Sequence, residues 1–297
     1  LFLVLFSFPA LVNSQNRSRP ATAAALSIKT EPNAIVWLDE VRRGVTDPAG
    51  TLQLTKVTAG SHVLRVRASG FKEMTVPLLP GRRGAVLVRL VHTTDEGELI
   101  FQEAEAAREK ATNDESRKQA AELYRRALKL RPASSAGHVG LARVFMDLNQ
   151  YENALAEIEA ARNSRPSYPE ASAVEGRTYR EMAFADEAAK SFQRAIREGH
   201  GFQPEAHVGL ARVFEDKGQY EAAAAEYELG IKQLSDSEPV IYQLLGSAYE
   251  KLEKYKEAVA AYEHYLQLAP NGSLAPAIRS IIDQLRKQAT GQELRPN

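Results

Sequence analysis

Residues 138–145 read HVGLARVF, and the same eight residues return at 207–214. The copies are 69 residues apart. That is too far for one helix and close to twice the roughly 34-residue period of a stacked helical hairpin. The text stays parallel afterwards, with MDLNQYENALAEIEA behind the first copy and EDKGQYEAAAAEYEL behind the second. A unit should then also start halfway between them. Gly176 and Tyr179 match Ala142 and Phe145, while Ala188, Phe192 and Ala195 match Ala154, Ile158 and Ala161. One period further on, Leu245, Gly246, Tyr249, Tyr255, Ala258, Tyr262 and Pro270 fill the same slots. Ahead of the first copy, Ala120, Tyr124, Ala127 and Pro132 supply the second half of another unit. This part of the chain is an array.

The register has a physical basis. Small residues let two helices approach closely, and aromatics fill the space beside them. Pro132, Pro166 and Pro270 cannot extend a preceding helix, so each closes a hairpin. A single hairpin cannot bury its own apolar faces, so neighbours must stack and the last one needs a polar cap. Residues 273–289 suit that cap, with Ile278, Ile281, Ile282 and Leu285 at helical spacing among charges.

The pattern resembles the tetratricopeptide repeat: a small residue eighth, an aromatic eleventh, alanine twentieth, an aromatic twenty-fourth, alanine twenty-seventh and proline near the thirty-second position. It places units at about 98–134, 135–168, 169–203, 204–238 and 239–272, with a tail at 290–297. Some positions depart from it. His138, Ser172 and His207 stand where that family often has Trp, Gly230 replaces the last alanine, and His200 stands near the missing proline of the third unit. The first unit carries an insertion around residues 113–116. The resemblance implies a right-handed α-solenoid of about five hairpins.

A chain of 297 residues has room for more than one core. Its formal net charge is zero, which gives no support to a nucleic-acid or membrane-surface role for the chain as a whole. The sum conceals an asymmetry. Residues 26–91 hold 10 Lys and Arg against 5 Asp and Glu, whereas residues 95–297 hold 26 against 33. The two halves either touch each other or meet different partners. Cysteine is absent, which removes disulfides, thiolate metal sites and an acylated-cysteine anchor.

The first twelve residues, LFLVLFSFPALV, are apolar but short for a membrane span. Small residues follow, then a polar lead-in over residues 15–25. The segment reads as an export signal, residues 1–14, cut after Ser14, with a missing start upstream of Leu1. An uncleaved membrane anchor and a buried strand are the alternatives. Export places the mature protein in the periplasm, the cell envelope or outside the cell.

From Leu26 the hydrophobic period changes to two. Short β-rich runs at 26–28, 35–38, 52–54, 63–66, 74–79 and 85–91 alternate with turn residues, among them Asp39-Glu40, Asp47-Pro48-Ala49-Gly50 and a hairpin turn at Gly81-Arg-Arg-Gly84. About six strands in so short a segment predict a small antiparallel β-sandwich over residues 26–91. A linker at 92–97 joins it to the array. The segment resembles the PEGA domain through Pro32, Ala34, Asp39, Gly44, Thr46, Gly60, His62, Gly70 and Phe71, although Asn33 and Glu40 replace glycines of that pattern. The whole chain thus reads as a multidomain protein, β followed by all-α.

Nothing in the chain reads as an enzyme. His138 and His207 are paired by repetition, and packing explains them; His62 suits a turn-closing role. His92, His200 and His264 have no neighbour at metal-ligand spacing, so neither a metal nor a cofactor is expected. No nucleotide-binding glycine loop and no Gly-x-Ser-x-Gly elbow appear.

The family resemblance implies that the first helices of successive units line a concave groove, with the ninth position pointing inward. Arg143, Arg177 and Arg212 hold that position, and Ser247 holds it in the last unit. A ladder of guanidinium groups suits peptide carboxylates. Arg180 adds a cation, and Val139, Ala173 and Val208 would form an apolar floor. The competing reading pairs Arg143 with Asp147, Arg177 with Glu181 and Arg212 with Asp216 along each helix. The Lys and Asn set of the family's carboxylate clamp is missing.

The expected function is an exported, non-enzymatic adaptor or scaffold of the bacterial cell envelope that docks a protein or peptide partner of acidic character. A carbohydrate or wall attachment through Trp37, Arg42-Arg43 or Arg82-Arg83 is a second reading, and a regulatory subunit of an envelope assembly is a third.

Overall fold

The computed structural model describes residues 24–39, 41–57, 60–234 and 238–293. The apolar run and the cut after Ser14 lie outside the described residues.

Among the described residues seven strands form two sheets packed face to face. β1 (Ala24–Lys29), β4 (Thr51–Val57) and β7 (Gly84–Leu87) make one sheet in the order β4-β1-β7. β2 (Ile35–Leu38), β3 (Val41–Val45), β5 (His62–Arg67) and β6 (Met74–Leu78) make the other in the order β3-β2-β5-β6. Alternation supplies the core: Leu26 and Ile28, Val36 and Leu38, and Leu64 and Val66 point inward, while their neighbours point out. Gly50 has φ +70, and a Cβ there would stand 2.0 Å from the Thr30 carbonyl oxygen, so the crossover from β3 to β4 requires glycine.

Two features correct the sequence reading. The strand β3, absent from the predicted runs, pairs with β2 as a hairpin. Its sequence, VRRGV, sets two arginines side by side instead of alternating apolar with polar residues, which an edge strand that buries little tolerates. The sandwich is also not wholly antiparallel, since β7 runs parallel to β1. The reason lies at Gly81 and Gly84, both at positive φ. They form no hairpin; they carry the chain from the edge of one sheet to the free edge of β1 in the other.

Among the described residues eleven helices follow: α1 (Glu96–Lys110), α2 (Asp114–Leu130), α3 (Ser135–Asp147), α4 (Tyr151–Ser164), α5 (Pro169–Glu181), α6 (Ala185–Glu198), α7 (Pro204–Asp216), α8 (Tyr220–Gln233), α9 (Pro239–Lys251), α10 (Tyr255–Leu268) and α11 (Ala275–Glu293). Consecutive helices pack in pairs, and α3, α5 and α7 also touch one another along an inner layer. Pro169, Pro204 and Pro239 open three of the inner helices, where a missing N–H costs nothing. The residues at 113–116, an insertion in the repeat pattern, supply a capping box for α2 from Asn113 and Ser116.

The small and aromatic register is a set of wedges. Phe192 of α6 is fully buried between Gly176 of its own unit and Gly209 of the next; a Cβ on either glycine would stand 2.7 or 2.3 Å from the ring. Tyr124 sits against Gly140 in the same way. The two repeated histidines are used inside their own hairpins. His138 Nδ1 is 2.6 Å from Glu157 Oε2, and His207 Nδ1 is 2.6 Å from Glu226 Oε2.

Candidate docking groove

The inner helices α3, α5 and α7 bring Arg143, Arg177, Arg180 and Arg212 to one side of the array, but the four are not equivalent. Arg143 is largely buried. Its guanidinium meets Glu170 Oε1 of α5 at 2.6 Å and Glu205 Oε2 of α7 at 3.7 Å. Burial works against both charges. The Arg143 charge and the Tyr168 hydroxyl nevertheless hold the Glu170 carboxyl at about 2. Burial likewise disfavours the Arg143 cation, yet Glu170, Glu205 and Glu105 together raise its pKa. Arg177 is more exposed and reaches Glu205 Oε1 at 3.1 Å. Arg180 meets Asp216 Oδ2 at 2.9 Å and Glu181 Oε1 at 3.4 Å.

The pairing therefore differs from the intrahelical scheme. For Arg143, Arg177 and Arg180 the main carboxylate belongs to a following unit rather than to the residue four positions on. Inner helices stand side by side, so a long side chain crosses to a neighbour as readily as it folds back. Arg212 is the exception. Among the described residues no carboxylate lies within ion-pair distance of it, although its charge is felt by the Tyr227 phenol. The apolar floor is also narrower than expected: Val139 is 1 % exposed and Ala173 is fully buried, both absorbed into the core between hairpins. Val208 alone of the three faces the groove.

Part of the inner surface is already covered by the chain itself. The outward residues of the second sheet, Trp37, Arg65 and Arg67, turn toward α1. Arg65 and Arg67 lie over the Trp37 ring at 4.2 and 5.4 Å, and Arg67 also lies 5.0 Å from the Phe101 ring. Arg67 Nη1 reaches Glu105 Oε2 at 3.3 Å, and Arg42 Nη1 reaches Glu109 Oε1 at 3.1 Å. Gln102 locks the seam: its Oε1 accepts from the Gly70 N–H at 2.9 Å and its Nε2 donates to the Phe71 carbonyl at 2.8 Å. The opposite charge of the two halves was the visible signal for this seat. Its location was not readable, because it depends on which face of the sheet is left outward. The Trp37 ring face carries guanidinium groups and is not an open platform for a sugar.

Beyond the seat, a cavity of about 510 Å³ opens between β3 and helices α5, α7 and α9. Arg42, Arg177, Arg180 and Arg212 bring cations to it, and Val208 and Ile241 bring apolar surface. Its position follows from packing. The contact that joins α3 to α5 and α5 to α7 is weaker between α7 and α9, which meet through the cluster of Ala211, Ile241 and Leu245. Among the described residues no group of three or more metal-ligating side chains is present, and no helix is long and apolar enough to cross a membrane.

Tetratricopeptide repeat families match residues 114–177, 174–239 and 239–271. The helical part of the chain is built of tetratricopeptide repeats. Among solved structures, PilF of Pseudomonas aeruginosa aligns with a TM-score of 0.55 and 18% identity, over 66% of this chain and 87% of that one. A thermophilic TPR protein of Thermus thermophilus aligns at 0.52 and 20% identity, over 64% of this chain and 98% of that one. These likenesses describe the fold of the solenoid. No curated protein sequence matches the chain.

Proposed function

We propose that the protein is an exported, non-enzymatic interaction scaffold of the bacterial cell envelope, and that the cavity between β3, α5, α7 and α9 docks an acidic, extended or helical segment of a partner protein. The observation that carries the reading is Arg212. It stands half-buried beside Val208 with no carboxylate partner among the described residues. A cation in such a place gains from an incoming carboxylate without first losing a partner. Arg177 and Arg180 support it, because exposed ion pairs are weak and exchange readily. The repeat architecture adds to the case, since stacked hairpins present a long concave surface. Export rests on the apolar run and the small residues around Ser14. The PEGA-like reading of the β module rests on its turn residues, among them Asp39, whose carboxylate accepts from the Val63 N–H and meets His62 Nδ1 at 2.6 Å.

The test uses the full chain and fluorescent peptides in which Glu alternates with Leu, beside analogues with Gln for Glu. Fluorescence anisotropy should show the Glu series binding at least about tenfold more tightly, as expected for one charge-assisted contact. Arg212→Gln should abolish that difference and leave helical circular dichroism unchanged. Equal binding of both peptide series by the unaltered chain, or an unchanged preference in the variant, would refute the groove reading.

A further inference from the structure

Among the described residues no helix packs substantially on the outer face of the β4-β1-β7 sheet. Along β7 and the residues after it, Val86, Val88 and Leu90 point into the core, so Ala85, Leu87, Arg89 and Val91 point out. Leu79 is 74% exposed, Leu87 60% and Val91 58%, the three barest large aliphatic side chains among the described residues of the β module. Arg82, Arg83 and Arg89 are exposed among them, and Lys29 lies beside Leu87 in the paired register. Among the described residues Arg82 Nη2 donates only to the Ala85 carbonyl, at 3.2 Å. No Asp or Glu occurs from residue 74 to residue 94, nor in β1 or β4. The acids that flank these segments are already engaged: Glu31 accepts from the Thr30 hydroxyl, Asp47 from the Ala49 and Thr51 N–H groups and Asp95 from the Glu98 N–H, while Glu73 pairs with Arg65 and Arg67.

We propose that this face, with the β6–β7 crossover at its rim, is a docking surface for a bilayer of anionic phospholipid. The chemistry fits on two counts. A cationic surface without acids is attracted to headgroup phosphates, each basic side chain near an anionic membrane strengthening binding about fivefold. Apolar tips standing above the sheet enter the acyl boundary, and arginine stems lie along apolar surface while their heads remain at the phosphates. A solvated sheet face is polar outward, as at Ser27 and Gln53 on β1 and β4, and the β7 margin departs from that with Leu87. The opposite sheet holds the solenoid through Trp37, Arg65 and Arg67, so a membrane on this face leaves the groove free.

Vesicle co-sedimentation of the full chain tests the proposal, with phosphatidylglycerol–phosphatidylcholine vesicles beside pure phosphatidylcholine. Arg17 and Arg19 follow the apolar run of residues 1–14 and would themselves favour anionic vesicles, so the comparison that decides is between the chain and variants that keep both. The anionic vesicles should bind the chain more tightly, and an Arg82→Ala, Arg83→Ala, Arg89→Ala variant should lower that partition about a hundredfold. A Leu79→Ala, Leu87→Ala, Val91→Ala variant should weaken binding to the anionic vesicles at constant charge. Partition independent of lipid charge, or an unchanged preference in the arginine variant, overturns the proposal. So does binding to a soluble polyanion such as polyphosphate with none to vesicles, or a loss of self-association in the arginine variant without a change in partition. Those last two outcomes assign the face to an acidic polymer or to a second copy of the chain.

Discussion

Arg143 and Arg177 occupy the same position in successive units, yet they should respond very differently to removal. Arg143→Ala leaves Glu170 without the cation that offsets its burial. A buried pair that loses one partner costs about 3–5 kcal/mol; with Glu170 one-third exposed, about 2–3 kcal/mol is expected. Arg177 is 44% exposed, and Arg177→Ala should cost under about 1 kcal/mol. Urea unfolding followed by circular dichroism separates the two. The pH dependence gives a second signature. The Glu170 carboxyl lies at about 2 in the folded protein and near 4.3 in an unfolded chain. A depressed carboxyl contributes stability above its unfolded value, and that stability is lost as pH falls toward the folded value. The loss should therefore fall between about pH 4.5 and 2. In Arg143→Ala that part of the acid limb should shrink, because only the Tyr168 hydroxyl and the Arg65 charge then oppose the burial that pushes the carboxyl up.

Helix pairs in this protein are spaced by glycine. Gly209→Ala would put a Cβ 2.3 Å from the Phe192 ring, and overpacking of this kind costs about 1–3 kcal/mol. Combining it with Phe192→Leu should recover part of the loss, measured as the thermal midpoint of the double variant against each single one. A midpoint in Gly209→Ala equal to the parent would show that the wedge is not tight. The aromatic slots were readable from sequence because Phe192, Tyr124 and Tyr262 recur at one spacing. Their glycine counterparts were only half readable: Gly176 and Gly246 fell in the small slot, while Gly140 and Gly209 lay inside the repeated octapeptide without a stated role. Strand β3 escaped for a different reason. An edge strand buries little, so its sequence lacks the alternation that revealed β2 and β5. The parallel entry of β7 was equally hidden, since a sequence period of two says nothing about direction.

At the level of the molecule the β module and the array act as one body through Arg42–Glu109, Arg67–Glu105 and the Gln102 seam. The charge imbalance between the halves pointed to such a meeting, and the comparison of Arg65, Arg67 and Trp37 with α1 supplies what composition could not, namely which face is used. Arg67→Glu should detach the module from α1 and enlarge the radius of gyration seen by small-angle scattering. Adding Glu105→Arg should restore much of the compact value by reversing the pair. If Arg67→Glu leaves the scattering curve unchanged, the seat is held by the Gln102 seam and the Arg42–Glu109 pair without it. The uneven strapping of the inner helices has one more consequence, and it is mechanical. Arg143 ties α3 to α5 and α7 through Glu170 and Glu205; among the described residues no ion pair does the same from Arg212 to α9, and that step is held by the apolar packing of Ala211, Ile241 and Leu245 instead. The cavity sits at that joint. A ligand gripping Arg212 on one side and Ile241 on the other would act as a splint, and its arrival would be felt as a change in the pitch of the last unit rather than in the shape of the first four.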